Sequence, residues 1–407
     1  MVSIERARQL ILDNVAILAT ESVPILQSLN RVCAEDCYSQ WNIPPLDNSE
    51  MDGYAFSHGK LIGNKLKVTG FVPAGVLRTI PVPSGEAVKI MTGAPLPPDC
   101  DTVVPVEEVE VAGEYIQLKG NTEAGAYVRK RGDDICSEDL AIPAGTLLRP
   151  QEIGMLSAIG KTVVKVFKNP YCAILATGDE LVQPGSVPGE GKIVNSNSNS
   201  LAAQVIDAGG VPLLLGIAPD SRESTIEKIR EGMHADFLIV TGGVSLGDRD
   251  YVKESIEALG GELKFWKVEI KPGKPLAFAM LQGKPVFALP GNPVSAMVSF
   301  EQFVRPALLK SMGRKRLYRP VVSAVLDEPL ENKSTRPNLI RGCVIRKNGN
   351  YVVTSTGKQG SNRLSSLVRG NGLIFLPPFM SLPVGAYVEV ELFDRAFEMR
   401  EMPYSHS

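Results

Sequence analysis

Histidine is scarce in this chain, with 3 in 407 residues, and aromatic residues make up only 6%. So few imidazoles leave little for a histidine-ligated metal. The 6 cysteines do not fill the gap, because only Cys33 and Cys37 stand close together; the rest are at 100, 136, 172 and 343. A zinc site needs paired nitrogen or sulfur ligands, so buried free thiols are expected instead. A surplus of either charge is missing too. The 43 Lys and Arg nearly balance the 45 Asp and Glu, for a net charge of -2. That removes the attraction that draws a protein nonspecifically to nucleic acid or anionic membrane, and neither is expected as a partner. No run of about 18 uncharged apolar residues occurs, as a membrane span would need. The opening MVSIERARQLI carries charges where a secretory signal has its apolar stretch, so the expected location is cytoplasmic.

What is present is apolar material, at 44% of residues, spread over a length that exceeds one ordinary core. The first forty residues read as helical, with Ile4, Ala7, Ile11 and Val15 at helical spacing before the break at WNIPPLDNSEMDGYA. From Tyr54 to about Asp134 short β-branched runs alternate with turns. The helical PQEIGMLSAIG and the strand-like TVVKVF follow. The expected organisation is a discontinuous helical domain over 1–42 and 135–168, with a β-rich domain inserted at 43–134. Over 169–313 the rhythm becomes strand, loop, helix: YCAILAT, VPLLLGIA, DFLIVTG, LAFAML and PVFALP, separated by amphipathic helices. That alternation predicts an α/β domain with a parallel sheet, whose ligands bind at the carboxyl ends of the strands. Residues 314–407 return to short strands and predict a C-terminal β domain. SNSNS at 196–200 is too short to be a low-complexity tract.

Four loops at predicted strand ends collect the chemistry. In ATGDEL, Gly178 permits a tight turn and Asp179 and Glu180 face whatever lies above the sheet. GIAPD ends at Asp220. TGGVSLGDRDY has the glycine-rich start of a phosphate loop but supplies Asp248 and Asp250 where a lysine is usual. LPGNPVSAM offers Asn292 as a helix N-cap and Pro293 as the first helical residue, with exposed amides suited to an anion. The missing lysines appear in IKPGKPLAF, where a Pro-Gly turn fixes Lys271 relative to Lys274, as suits phosphate or an oxoanion. Carboxylates repel phosphate unless Mg²⁺ bridges them, so the combination predicts a phosphorylated ligand with a divalent metal.

Eight segments together resemble the MoeA-type molybdopterin molybdenumtransferases, a family that includes the E domain of gephyrin. They are DNSEMDGYA, MTGAPLP, VRKRGDD, ATGDEL, TGGVSLGDRDY, KPGKPLAF, LPGNPVSA and TGKQGSNRLSSL, in family order from residue 47 to 367. The resemblance implies a cytoplasmic homodimer that inserts molybdenum from molybdate into adenylylated molybdopterin and releases AMP, with Mg²⁺ required. The implied fold is a discontinuous helical domain with a β insertion, an α/β molybdopterin-binding domain and a C-terminal β-barrel-like domain. Transient docking with the molybdopterin adenylyltransferase and with apo-molybdoenzymes is also implied.

By position, Glu180, Asp220 and Asp250 resemble the family's functional carboxylates, with Asp179 beside them and Glu180 and Asp250 as metal ligands. Thr241, Gly242, Gly243 and Ser245 would line the pterin and phosphate pocket, while Pro290, Asn292 and Pro293 shape its wall. Lys271, Lys274, Arg341 and Ser361 resemble the molybdate contacts, and Asp52 and Thr92 the contribution across a dimer interface. The chain departs from the family pattern at Val194-Asn195-Ser196-Asn197, where an Asp-containing stretch is frequent, and at Glu50, where a small residue is frequent. Two other function classes are compatible with the same fold. One is a gephyrin-like scaffold; the other is a hydrolase of a different adenylylated nucleotide.

Overall fold

In the computed structural model, which describes residues 1–244 and 251–394, the chain divides into two compact units. The first comprises Met1–Glu21 and Phe167–Ser407, and the second Ser22–Val166.

The first unit is built on a six-stranded sheet. Its order is Val211–Ala218, Tyr171–Thr177, Phe237–Thr241, Lys284–Leu289, Ala277–Leu281, Glu262–Trp266. The first four strands are mutually parallel, as the α/β rhythm predicts. Their side chains alternate between two apolar layers. Ile174, Ile239 and Phe287 face one layer; Leu175, Val240 and Ala288 face the other. Burial on both faces explains why these strands read as continuous apolar runs. Helix Asn197–Ala208 covers one face with Leu201 and Val205; Arg222–Gly232 and Tyr251–Ala258 cover the other with Ile229, Val252 and Ile256.

The last two strands run antiparallel. Only Gln282 and Gly283 separate Leu281 from Lys284, both with positive φ, a hairpin turn too short for the helical crossover that parallel strands need. The Glu262–Trp266 strand at the edge is absent from the sequence reading, its alternating charges masking it.

The helical reading of the first forty residues holds only over Ile4–Asn14, where Ser3 Oγ accepts from the Arg6 amide. Beyond it Thr20–Pro24 is a strand, since Val23 is β-branched and Pro24 has no N–H for a helix. Residues 1–42 are therefore not one helical piece. The Ile4, Ala7, Ile11 stripe buries itself in the same cluster as Phe303 and Leu308, so the N-terminal helix belongs to the α/β unit.

The five strands expected after residue 314 are present and close into a barrel: Val321–Leu326, Asn350–Ser355, Asn338–Lys347, Gly372–Leu376 and Tyr387–Leu392. Leu326, Val344, Val353 and Val390 fill its interior. Leu339 and Leu373 instead join the α/β cluster, so apolar packing continues from sheet to barrel.

The second unit holds its own six-stranded sheet, from Thr102–Pro105 through Gly53–Phe56, Glu86–Ile90, Lys65–Val72 and Tyr115–Leu118 to Val109–Ala112. This is the β-rich segment that the turn-punctuated sequence predicts. A smaller core of Cys33, Cys37, Leu148 and Leu156 includes the expected helix Pro150–Ala158. No helix among the described residues is long and apolar enough to cross a membrane.

Candidate active site

Parallel pairing brings the strand ends carrying the chemistry to one edge. Thr177 pairs with Ala218, Ala176 with Thr241, and Thr241 with Leu289, so the loops that follow rise together. They enclose a cavity of about 650 Å³. Of the residues singled out from sequence, it brings together Glu180, Asp220, Thr241, Gly242, Gly243, Pro290, Asn292 and Pro293.

The acidic side is held by reciprocal backbone bonds. The Asp220 amide donates to Asp179 Oδ1 at 3.0 Å, and the Asp179 amide donates to Asp220 Oδ2 at 3.4 Å. Asp179 thus holds the Asp220 loop in place. Glu180 is exposed, and its carboxylate folds over Gly178, where a Cβ would stand 2.5 Å from it. Among the described residues that carboxylate has neither an ion pair nor a hydrogen bond.

The opposite wall begins at Asn292, which occupies the N-cap position with Pro293 first in the helix, as read from the sequence. Its side chain does not cap, however, and stays exposed at the cavity edge. The helix continues through a π turn at Phe300–Val304 into Arg305–Ser311. This turn shifts the buried face and brings Gln302 inside, where it donates to Glu391.

Lys271 and Lys274 are both exposed, one on each side of the Pro272–Gly273 turn. Backbone bonds anchor the turn to the barrel: the Lys271 amide donates to Pro337 O, and the Leu339 amide to Lys271 O. Pro275, next to Lys274, lines the cavity.

Arg341 is fully buried. Its Nε donates to Ser366 Oγ at 3.0 Å and its Nη2 to Gly360 O at 3.1 Å, while its amide donates to Gln359 Oε1 and its carbonyl accepts from Gln359 Nε2 and the Thr356 amide. Burial, with no anionic partner among the described residues, pulls the guanidinium down to about 10. Arg341 organises the loop over 356–366. That loop in turn places Asn362 in the cavity lining and lets Ser361 O accept the Val294 amide at 3.1 Å.

Asp52 and Thr92 lie in the second unit. The Thr92 amide and hydroxyl both donate to Asp52 Oδ1 at 2.7 Å. These two bonds, the amide's foremost, hold the exposed carboxyl below its usual range. Asp52 thus keeps its charge to lower pH than a free aspartate. Thr92→Val removes only the hydroxyl's share, so the Asp52 titration is expected to move part of the way back upward. A carboxyl-carbon NMR titration reads this directly, and no movement would detach the hydroxyl from the carboxylate.

Ser245, Asp248 and Asp250 lie outside the described residues. Thr177, Asn195, Asn197 and Asn362 also line the cavity, although the sequence gives none of them a site role and marks Asn195 and Asn197 only as a departure from the family pattern. For two of them a signal was present. In VNSNSNSL, Asn195 Oδ1 accepts from the Ser198 amide at 3.1 Å, so the polar run is a helix start facing the cavity.

Comparison with known proteins agrees over most of the chain. Residues 2–160 match the family model for the MoeA N-terminal region (domain I and II), 173–310 a probable molybdopterin binding domain, and 323–393 the MoeA C-terminal region (domain IV). The molybdopterin molybdenumtransferase of Haemophilus influenzae is 35% identical over 390 residues, covering 92% of this chain and 94% of that protein. Molybdopterin molybdenumtransferase 2 of Mycobacterium tuberculosis is 31% identical over 406 residues, covering 97% and 100%. The crystal structure of a molybdopterin biosynthesis MoeA protein from Pyrococcus horikosii superposes with a TM-score of 0.83 at 32% identity, covering 97% of this chain and 99% of that one.

Proposed function

The chain belongs to the MoeA family of molybdopterin molybdenumtransferases, and from that membership we propose that it inserts molybdenum from molybdate into adenylylated molybdopterin and releases AMP. It is a transferase with a role in molybdenum cofactor biosynthesis. The observation that carries the finer reading is the cavity at the carboxyl ends of the parallel strands. Glu180 and Asp220 face the Pro290–Pro293 wall there, within the segment matched by the molybdopterin-binding model.

The donor set fits Mg²⁺. Glu180 supplies a hard carboxylate to the cavity, and Mg²⁺ takes one or two carboxylates, filling its other positions with water and phosphate oxygens. Among the described residues no three His, Cys, Asp or Glu form an all-protein cage. We assign Glu180, with Asp250 beyond the described residues, to hold it. When bound, the ion would neutralise charge on the phosphate oxygens.

The remaining work falls to side chains. Asp220, one oxygen fixed by the Asp179 amide, is preorganised to orient water at the phosphoanhydride. Lys271 and Lys274, with Ser361, dock molybdate and offset its repulsion from the dithiolene. Arg341 supports that site by holding the loop that carries Ser361. Thr241, Gly242 and Gly243 shape the pocket through backbone and short side chains. As the motif resemblance implies, the protein acts as a homodimer to which Asp52 and Thr92 contribute across the interface.

Purified protein incubated with adenylylated molybdopterin, Mg²⁺ and molybdate is expected to release AMP and to reconstitute an apo-molybdoenzyme. AMP release without reconstitution would make it a hydrolase and overturn the transferase mechanism; neither product would point to a scaffold. Light scattering at micromolar concentration is expected to give a dimer, and a monomer would remove the role of Asp52 across an interface.

A further inference from the structure

The cavity floor holds a polar group whose hydrogen-bonding capacity is left over. Asn197 opens helix Asn197–Ala208 and is only 8% exposed. Its Nδ2 donates to Gly291 O at 2.7 Å and to Thr241 Oγ1 at 2.9 Å. A backbone carbonyl only accepts, so the amide nitrogen must face Gly291, and this fixes the orientation of the group. The Thr241 hydroxyl has committed its own proton to Pro290 O, at 3.1 Å, and so accepts from Asn197. Both amide hydrogens are engaged. What remains is Oδ1, buried and without a partner among the described residues. Thr177 Oγ1 in the same lining is likewise buried and without a partner.

A buried acceptor left unmet destabilises the folded chain, and such groups call for an explanation. A phosphate or oxoanion cannot supply it, because its oxygens are acceptors too. The missing partner is a donor. An adenylylated pterin offers as donors the amino and N–H groups of its rings and the ribose hydroxyls, and the match of this segment to the probable molybdopterin binding domain favours the pterin among them.

We propose that Asn197 Oδ1 accepts a hydrogen bond from the exocyclic amino group of the pterin, placing that ring on the floor between Thr177 and Gly291 with its anionic substituents directed away. The assignment rests on the pterin-binding reading above and adds the orientation of the ring. It also makes Asn197 a specificity-determining residue, since a site that hydrogen-bonds an N–H discriminates strongly against the analogue lacking it.

The test measures binding to the full-length protein of 6-hydroxymethylpterin and of the same ring with hydrogen in place of the 2-amino group. AMP and its analogue lacking the 6-amino group form a second pair. The aminated pterin is expected to bind about ten- to a hundredfold more tightly than its partner. In Asn197→Ala that ratio is expected to fall within threefold. A purely structural Asn197, which also ties the helix to the Pro290–Gly291 turn, would weaken both rings alike and leave the ratio unchanged; that outcome overturns the proposal. Equal binding of the two pterins to the wild type overturns it as well, leaving the pterin site standing and needing no variant to fold. Binding of neither pterin overturns the site reading and the proposal together. Discrimination confined to the nucleotide pair would put adenine at Asn197 and refute the pterin assignment.

Discussion

Glu180→Gln is expected to leave stability within about 0.5 kcal/mol of the wild type while cutting AMP release by about 10²- to 10³-fold. The two effects separate because of where the side chain lies. Its carboxylate is exposed over Gly178 and, among the described residues, holds nothing else in place, so replacing one oxygen by an amide nitrogen breaks no structural contact. Turnover, in contrast, would lose a charged oxygen in the cavity and the carboxylate proposed to hold Mg²⁺, for which a neutral amide is a weak substitute. Thermal melting and a coupled AMP assay on the same preparation suffice. Release within threefold of wild type would remove Glu180 from the machinery, whereas a large drop in melting temperature would show that it is structural.

The second large effect is on the fold of the site. Gly242 has φ +92, and a Cβ there would stand 2.4 Å from the Thr177 carbonyl oxygen and 2.9 Å from its hydroxyl. The first clash is with backbone of a central strand, which cannot step aside. Gly242→Ala is therefore expected to cost about 3–4 kcal/mol, made up of the left-handed conformation and the displacement it forces. Gly283→Ala in the hairpin turn is the matched control: its φ is +75 but nothing lies within 4 Å, so about 1 kcal/mol is expected. Urea denaturation of both measures the difference. Equal losses would show that conformation alone matters and that close approach of these two strand ends does not.

Much of this molecule is legible in its sequence. The parallel strands stand out as apolar runs because both their faces are buried, and the five barrel strands because each is bounded by turn residues. Glu180, Asp220 and the Pro290–Pro293 turn share one cavity because each follows a strand, and parallel strands deliver their loops to one edge. What the sequence leaves open has a common cause. The N-terminal helix shows its own apolar stripe but not what covers it, so its packing against Phe303 and Leu308 is visible only in the fold. Arg341 has the residue type of an anion contact, yet its guanidinium lies under a loop, and only burial distinguishes the two positions.

The sequence by itself determined the parallel strands, the barrel strands and the turns that bound them, and which loops carry acids and cations, because those properties depend on periodicity and local chemistry. Tertiary structure alone decided that the Asn197 amide, forty-odd residues along the chain from Thr241 and more than twice as far from Gly291, has both hydrogens engaged and its oxygen left over. Whether a polar group is satisfied depends on what distant strands bring to it, and residue spacing carries no record of that.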